Sequence, residues 1–531
     1  MIAKNVSPLS AQVEQILAFP IEPYNAHMKR LIRFGVIAWL FTAGLSAQQR
    51  KDVDAYLSTH RQEIVREFVE LLSIPNVAAD RENIKRNADL LRTMFVKRGF
   101  TVEILETSGN PLVFAELRVP GANRTLLFYA HYDGQPVDPK GWKQRAPFTP
   151  IMRDRRMEDG GQEVANFLSL TSFPPQARLY ARSASDDKAP IMALLAAVDA
   201  LSALEQRPTS NVKVILDGEE EARSPSLAAT MGRYRDRYRA DLMLILDGPL
   251  HQSGKPTLSF GARGNLVFQL TAFGPKFALH SGHYGNWAPN PAMDLVQLLA
   301  SMKDANGRVL VSGFYDDVPP LTAREREILA AVPDRGEDLR RFFGIQRTEQ
   351  VGDNLQEALQ FPSLNIRGLQ SGDIGDQART IIPDRAVAEI DVRLVKETDA
   401  ERMLQRVLAH IRAQGVHVLI DAEPDDETRA RYPRIVRVSR VSWTNAYRTE
   451  MTIPESEALV GAFERAWGEP PVRNRTMGGT VPIDFFIQAL AMPAIGVPVV
   501  NFDNNQHSDN ENLRLQNLWD AVISFAAVLK M

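Results

Sequence analysis

Apolar residues along the chain recur at two spacings, that of amphipathic helices and that of short buried strands. Residues 51–73 carry an apolar stripe at helical spacing, and a second helix is predicted from Lys188 to about Leu204. Short apolar runs beside these helices are typical of buried strands: Thr101–Leu105, Leu112–Val119, Leu126–Ala130, Val212–Leu216 and Leu242–Leu246. Strands that alternate with helices predict an α/β fold, with a mostly parallel sheet and helices on both faces.

The pattern changes between about residues 254 and 445, where strands and helices follow in a different order. The elements predicted there are Asn265–Ala272, Asn290–Asp304, Ala386–Val395 and Thr398–Gln414. The last of these helices begins with Thr398 and Glu401 at the spacing of a capping box. We therefore predict a smaller α+β domain, ferredoxin-like in kind, inserted into the first domain.

After the inserted region the first pattern resumes, with a helix predicted at Ser456–Trp467 and an apolar strand at Ala494–Val500. The large domain is thus predicted to consist of two separate segments, 51–253 and 446–531. The inserted domain occupies residues 254–445 between them.

A basic and then apolar segment near the N-terminus has the layout of a secretory signal peptide. Basic residues at positions 29, 30 and 33 precede the apolar run 34–45, which is too short to span a bilayer comfortably. We predict a signal peptide at 28–47, preceded by an uncertain N-terminal extension, 1–27. An uncleaved anchor or a buried helix is the alternative. The expectation is an exported protein, periplasmic or secreted, with no stable membrane span in its mature form.

Composition excludes several classes of chemistry. The 531 residues are 44% hydrophobic and 24% charged, as in ordinary globular chains. A net charge of −3 gives no electrostatic reason to expect nucleic acid or an anionic membrane surface as a partner. The absence of cysteine excludes disulfides, thiolate metal sites and cysteine nucleophiles. A metal must therefore be held by His, Asp, Glu or water.

Acidic and imidazole side chains are concentrated where the predicted strands end. In parallel α/β sheets, ligands bind beyond the carboxyl ends of the strands. The groups that follow strands, or precede a helix, are His131 and Asp133, Asp186 and Asp187, Asp217 and Glu219–Glu221, Asp247, and His507. Each alone is typical of a solvated loop, but five segments that converge on one sheet edge predict a metal-competent site.

The motifs in these segments resemble those of the M20 family of co-catalytic metallopeptidases. That family includes carnosine dipeptidases, glutamate carboxypeptidases and N-acyl amino acid deacylases. The matching strings, in the family's order, are HYD at 131–133, SDDK at 185–188, EEE at 219–221, LILD at 244–247, LHSGHYG at 279–285 and QHSDNENL at 506–513. The resemblance covers nearly all of residues 55–531, and the longer strings favour the dipeptidase and carboxypeptidase branch.

The resemblance implies two divalent metal ions, most simply Zn²⁺, with Mn²⁺ or Co²⁺ as alternatives. Asp186 would bridge the ions. His131 and Asp247 would hold one of them, and Glu221 and His507 the other. Nitrogen and oxygen ligands with open positions suit catalytic zinc.

The resemblance also implies catalytic roles for three further residues. Glu220 would be the general base that acts on a metal-activated water, and Asp133 would orient the His131 imidazole. His280 would reach the active site of a partner subunit and polarise the scissile carbonyl, which implies a homodimer. The alternative for His280 is a histidine in an ordinary turn.

Substrate-binding residues follow from the same resemblance. Arg393 would bind the terminal carboxylate of a small peptide or N-acyl amino acid, with Thr480 and Gly479 contributing further donors. The alternative for Arg393 is a solvated sheet face. The predicted function is hydrolysis of dipeptides or C-terminal residues. The alternatives are an N-acyl amino acid deacylase with the same site and a catalytically inactive binding protein.

Overall fold

A computed structural model of the chain describes residues 26–481 and 483–531. Most of the predicted extension 1–27 lies outside the described residues. The segment 28–47 falls within the first described helix, Ala26–Leu72, and export stays a prediction. Among the described residues, no helix is both long enough and apolar enough to cross a bilayer.

The described α-helices are numbered in chain order. They are α1 Ala26–Leu72, α2 Arg81–Lys97, α3 Lys188–Ala203, α4 Pro225–Tyr238, α5 Ser281–Tyr284, α6 Pro291–Met302, α7 Ala323–Ala330, α8 Gly336–Phe343, α9 Leu355–Ala358, α10 Ala400–Ala413, α11 Asp426–Arg431, α12 Pro454–Trp467, α13 Asp484–Leu490 and α14 Leu515–Leu529.

The described strands are numbered in the same way. They are β1 Thr101–Leu105, β2 Leu112–Leu117, β3 Thr125–His131, β4 Ile151–Arg153, β5 Arg178–Tyr180, β6 Asn211–Asp217, β7 Leu242–Ile245, β8 Thr257–Ser259, β9 Gly261–Ala262, β10 Gly264–Phe273, β11 Leu279–His280, β12 Ser363–Gln370, β13 Ile381–Ile382, β14 Arg385–Leu394, β15 His417–Ile420, β16 Ile435–Thr444, β17 Tyr447–Arg448, β18 Val472–Asn474, β19 Ala494–Gly496 and β20 Asn512–Arg514.

Eight strands form the large sheet, in the order β1-β2-β6-β3-β7-β19-β8-β18. The pairs β6/β3, β3/β7, β7/β19 and β8/β18 are parallel, so the prediction of a mostly parallel sheet is confirmed. The antiparallel pair β1/β2 was not predicted. The short connection between these two strands explains it, because a parallel crossover needs a dozen or more residues.

The large sheet is buried on both faces, since alternate residues of its central strand enter two different cores. In β3, Leu126, Phe128 and Ala130 lie in one apolar cluster with side chains of α1, α2, α3, α12 and α14. Leu127 and Tyr129 lie in a second cluster with α4 and α13. A strand buried on both faces is a continuous apolar run, which is what the sequence shows here.

A second sheet of five strands, in the order β12-β14-β10-β16-β15, forms the inserted domain. Its strands are antiparallel except for the pair β15/β16, and α6 and α10 supply side chains to its apolar core. The predicted combination of a large α/β domain and a smaller α+β domain is therefore confirmed. The exact domain limits stay a prediction, and β8 at Thr257–Ser259 pairs within the large sheet.

Two local predictions are wrong. The residue that caps α10 is Asp399, whose carboxylate accepts from the Arg402 amide, whereas the Thr398 hydroxyl binds both backbone groups of Val395. The Thr398 side chain is engaged in that turn, so no capping box with Glu401 forms. The strand predicted at Ala494–Val500 ends at Gly496, shortly before Pro498, which lacks an amide to donate to a ladder.

One segment of the inserted region packs on the large domain. Ile328 of α7 lies in the apolar core of the large domain. Glu325, in the same helix, accepts a hydrogen bond from Arg475 Nε at 2.9 Å. The segment α7–α9 is therefore anchored beside the carboxyl ends of the large sheet, where the site residues lie.

Candidate active site

The predicted site residues come from several elements of the large domain. His131 ends β3, Glu220 and Glu221 occupy a 3₁₀ turn after β6, and Asp247 follows β7. Asp186 lies just before α3 and His507 in the loop after β19. Because β3, β6, β7 and β19 are parallel neighbours, their carboxyl ends meet at one edge.

These residues form two groups that share Asp186. The ligand atoms of His131, Asp186 and Asp247 lie within 4.8 Å of one another, and so do those of Asp186, Glu221 and His507. His131 Nε2 is 2.9 Å from Asp186 Oδ1, and His507 Nε2 is 3.0 Å from Asp186 Oδ2. Each oxygen of the Asp186 carboxylate thus faces one imidazole, which is the arrangement of a bridging ligand.

Asp133 is fully buried and contacts both sides of the site. Its Oδ1 accepts from the Glu220 amide at 3.0 Å and its Oδ2 from the Glu221 amide at 3.1 Å. Oδ1 also lies 3.4 Å from His131 Nδ1, and the Asp133 carbonyl oxygen lies 3.2 Å from the same nitrogen. A proton on Nδ1 directed at Asp133 leaves the Nε2 lone pair free to bind a metal. Asp133 therefore fixes the imidazole and the Glu220–Glu221 turn together.

Buried carboxyl groups are crowded in this site. Burial, with the nearby charge of Asp186, raises the pKa of Asp247 to about 6 and that of Glu221 to about 7. Like charges in a poorly solvated site repel, and either protons or cations offset that repulsion. Asp186 Oδ2 is buried without an aligned hydrogen bond. An oxygen and nitrogen donor set of this kind fits two divalent ions such as Zn²⁺, Mn²⁺ or Co²⁺.

A cleft of about 770 Å³ opens over these groups. Its lining includes Glu220 together with the predicted substrate residues Arg393, Thr480 and Gly479. Arg393 Nη1 donates to Thr480 Oγ1 at 2.9 Å, and Arg393 Nε donates to Asp391 at 3.3 Å. The structure therefore brings the predicted substrate residues into the same cleft as the predicted catalytic residues. Their roles stay predictions.

His280 is not among the residues that line this cleft. It is exposed in the inserted domain, where its Nδ1 accepts from the Gly282 amide at 3.0 Å. A contribution from His280 to this chain's own cleft is thus not shown, and its role across a subunit boundary stays a prediction.

Sequence reasoning missed Glu511, which is buried to 1% exposure. Its Oε1 accepts from the Ser185 amide, the Ser185 hydroxyl and the Asp186 amide, each at 2.9 Å. Its Oε2 accepts from Arg182 Nη1 at 2.8 Å and the Ser183 amide at 3.0 Å. One carboxylate thus holds the loop that carries Asp186.

Glu511 also lies in the loop that carries His507. The strand that follows it, β20, pairs with β5, which precedes the Asp186 loop. The two loops are therefore joined by a backbone pairing and by one buried carboxylate. The only sequence signal for Glu511 was its place in the string after His507, where a solvated side chain was equally compatible.

His251 lies four residues beyond Asp247, and the sequence is compatible both with a surface or packing histidine and with one near the site. The structure places it in the cleft lining, where its Nε2 lies 2.8 Å from Asp334 Oδ1. This contact ties the segment between α7 and α8 to the loop after β7.

A model of peptidase family M20/M25/M40 matches residues 127–531. The chain belongs to this family. The predicted M20 family, its dipeptidase and carboxypeptidase branch that includes the carnosine dipeptidases, and the class of metallopeptidase enzymes are confirmed. M20 membership implies a dinuclear metal site, to which the two groups around Asp186 correspond.

Two curated relatives and one solved structure illustrate the similarity. The chain is 27% identical over 482 residues to the Cys-Gly metallodipeptidase DUG1 of Candida albicans, covering 86% of this chain and 92% of the relative. It is 28% identical over 432 residues to the Beta-Ala-His dipeptidase of Homo sapiens, covering 78% and 76%. The M20 family metallo-carboxypeptidase Sso-CP2 from Sulfolobus solfataricus superposes with a TM-score of 0.70 at 28% identity, covering 88% and 98%.

Replacing Glu511 tests whether it organises the metal site. In Glu511→Ala, five hydrogen bonds to the Asp186 loop are lost, and we expect metal affinity to fall about 10- to 100-fold. Competition with a chelator measures the affinity, and circular dichroism checks the fold. Asp509→Ala, on the same loop, is the matched control. Unchanged affinity in folded Glu511→Ala would contradict the assignment.

Proposed function

We propose that this M20 chain is a dinuclear metal-dependent dipeptidase that hydrolyses small peptides at the bond next to a free C-terminal residue. The main support is that Asp186 belongs to two candidate metal-binding groups, one with His131 and Asp247 and the other with Glu221 and His507. Asp186 and Glu220 line the same cleft. The activities for which two relatives are named, on Cys-Gly and on β-Ala-His, support a dipeptide substrate.

The residues that would hold the two ions are those of the two groups. His131 and Asp247 would hold one ion, Glu221 and His507 would hold the other, and Asp186 would contribute to both. When bound, a pair of such ions lowers the pKa of a water and stabilises negative charge at the scissile carbonyl oxygen. Zinc is the proposed metal, and manganese and cobalt accept the same donors.

Glu220 is the proposed general base. Its amide is fixed by Asp133, and its carboxyl group lines the cleft, whereas the neighbouring Glu221 approaches His507 at 3.6 Å. Burial raises the pKa of Glu220 well above its ordinary value. A raised pKa suits a group that takes a proton from water and then delivers it to the leaving amine.

Arg393 and Thr480 are proposed to bind the terminal carboxylate of the substrate. The guanidinium is oriented by Asp391 and by the Thr480 hydroxyl, so its remaining donors are held in a defined direction. A planar guanidinium can bind both oxygens of a carboxylate. Gly479 lies beside Thr480 in the cleft lining.

The homodimer is proposed from the inserted domain. Several large apolar side chains there are exposed in the single chain, namely Phe277 at 69%, Trp287 at 80%, Met293 at 57% and Ile374 at 89%. Exposed apolar patches commonly mark protein interfaces. His280 belongs to the same part of the chain and would enter the partner's cleft.

The proposed activity predicts that hydrolysis requires a divalent metal and that dipeptides are cleaved in preference to N-acetyl amino acids. Chelator treatment should abolish hydrolysis, and added zinc, manganese or cobalt should restore it, because the carboxylate-rich site needs cations to act. Activity is measured on Cys-Gly, β-Ala-His and a set of N-acetyl amino acids. Hydrolysis of the N-acetyl substrates alone would favour the deacylase alternative. A folded protein that binds no divalent metal and cleaves nothing would be the inactive binding protein.

Glu220→Gln should lower kcat about 10²- to 10⁴-fold, since the amide cannot take the proton from water. Metal content should stay at the wild-type value, because Glu220 is not in either ligand group. Steady-state kinetics and elemental analysis measure both quantities. Glu469→Gln, an exposed surface variant, is the control. Full activity in Glu220→Gln would rule out this mechanism.

Mixing two inactive variants tests His280 across the subunit boundary. Glu220→Gln and His280→Ala should each be inactive alone. In mixed dimers, the His280→Ala chain keeps its own Glu220 and receives His280 from the other chain. Random exchange should therefore recover roughly a quarter of wild-type activity, from one intact site in half of the dimers. No recovery, in a mixture shown by mass spectrometry to have exchanged, would contradict the trans role.

A further inference from the structure

Helix α8 belongs to the inserted region by sequence, but it lines the cleft of the large domain. Leu339 and Phe343 are four residues apart and thus project from one face of this helix. Both line the cleft that contains the metal-ligand groups. With Leu355 and Phe502 they form an apolar wall, which we name by these four residues. Three of them are substantially exposed, at 59% for Phe343, 45% for Leu355 and 50% for Phe502.

The cleft continues into a second cavity of about 750 Å³, in which charged and amide residues such as Arg156, Asp338 and Asp503 lie beside the apolar ones. Leu339 and Phe502 line both the cleft and this second cavity. Phe342, which is 75% exposed, lines only the second. The cleft and its neighbour thus form a trough that begins at the catalytic groups and extends past large apolar side chains.

The trough leads away from the predicted carboxylate-binding residues. A third cavity, of about 200 Å³, shares Glu220, Asn265 and Thr480 with the cleft. It shares no lining residue with the second cavity. The Thr480 end and the apolar end are therefore different parts of the cleft. If Thr480 and Arg393 bind the C-terminal carboxylate, the apolar end receives the residue on the amine side of the scissile bond.

Polar contacts with the large domain hold the wall in place. Asp334, just before α8, lies 2.8 Å from His251 Nε2 and accepts from Gln252 at 3.1 Å. It also accepts from Gln356 of α9 at 2.7 Å. One carboxylate thus joins the start of α8, the helix that carries Leu355 and the loop after Asp247. The apolar side chains are exposed, but the segment that presents them is anchored.

We propose that the wall of Leu339, Phe343, Leu355 and Phe502 is a specificity subsite for a large apolar side chain, such as Leu or Phe, on the amine side of the scissile bond. This inference rests on the proposed dipeptidase function. Large apolar side chains left in water inside a cleft of ligand-binding size are typical of a site that an apolar ligand covers. The substrate class is therefore dipeptides with a bulky apolar first residue.

The subsite is tested with the zinc-loaded enzyme and the series Gly-Gly, Ala-Gly, Leu-Gly and Phe-Gly. We expect kcat/KM for Phe-Gly to exceed that for Ala-Gly about tenfold or more, as for other apolar pockets. The double variant Leu339→Ser and Phe343→Ser should lower this ratio, because it removes the two wall residues of α8 and leaves Leu355 and Phe502. Val96→Ser, on the exposed face of α2, is the matched control and should keep the ratio.

A charge variant gives a second, independent outcome. Phe343→Arg should favour Glu-Gly over Phe-Gly, because a cation then faces the first side chain. Equal kcat/KM across the wild-type series, or a preserved ratio in the double variant, would overturn the subsite while leaving the dipeptidase function intact. Failure to cleave any dipeptide would overturn the proposed function, and this inference with it.

Discussion

Mutual repulsion among buried carboxylates is the constraint on which the rest of the site depends. Asp133, Asp186 and Glu220 are buried at one edge of the sheet, and Asp247 is half-buried beside them. The imidazoles of His131 and His507 face the Asp186 carboxylate. The raised pKa values of Asp247 and Glu221 express this cost. Such a cluster persists because the fold fixes its backbone with hydrogen bonds that do not consume the ligand atoms. Asp133 does this for the Glu220–Glu221 turn, and Glu511 does it for the loop that carries Asp186.

Because the backbone of the Glu220–Glu221 turn is held by Asp133, the two neighbouring glutamate side chains can point in different directions. Glu221 turns to His507, where Gln135 also donates to it at 2.6 Å, and Glu220 turns to the cleft. The rigid backbone thus lets adjacent residues of one type take different positions toward the metal site.

The ligand positions could be predicted from sequence because each lies within a few residues of a strong local signal, an apolar strand or the start of α3. Parallel pairing then brings those local signals to one edge. The contacts of Glu511 could not be predicted, because Arg182 lies 329 positions away and no local pattern marks the pair. The docking of α7, through Glu325 and Arg475, spans 150 positions in the same way. The N-cap of α10 was predicted one residue too early. Thr398 and Asp399 are adjacent and both can cap a helix, so the sequence pattern alone does not distinguish them.

The discontinuity of the large domain has a consequence for assembly. Four of the five predicted ligands come from the segment before the inserted domain, and His507 comes from the segment after it. An ion held by Glu221 and His507 would therefore connect two segments of the large domain that are separated in sequence by the whole inserted domain. Ligand binding to the native state alone stabilises that state. Docking of the late segment and occupancy of that ion site are thus thermodynamically linked, so that each stabilises the other.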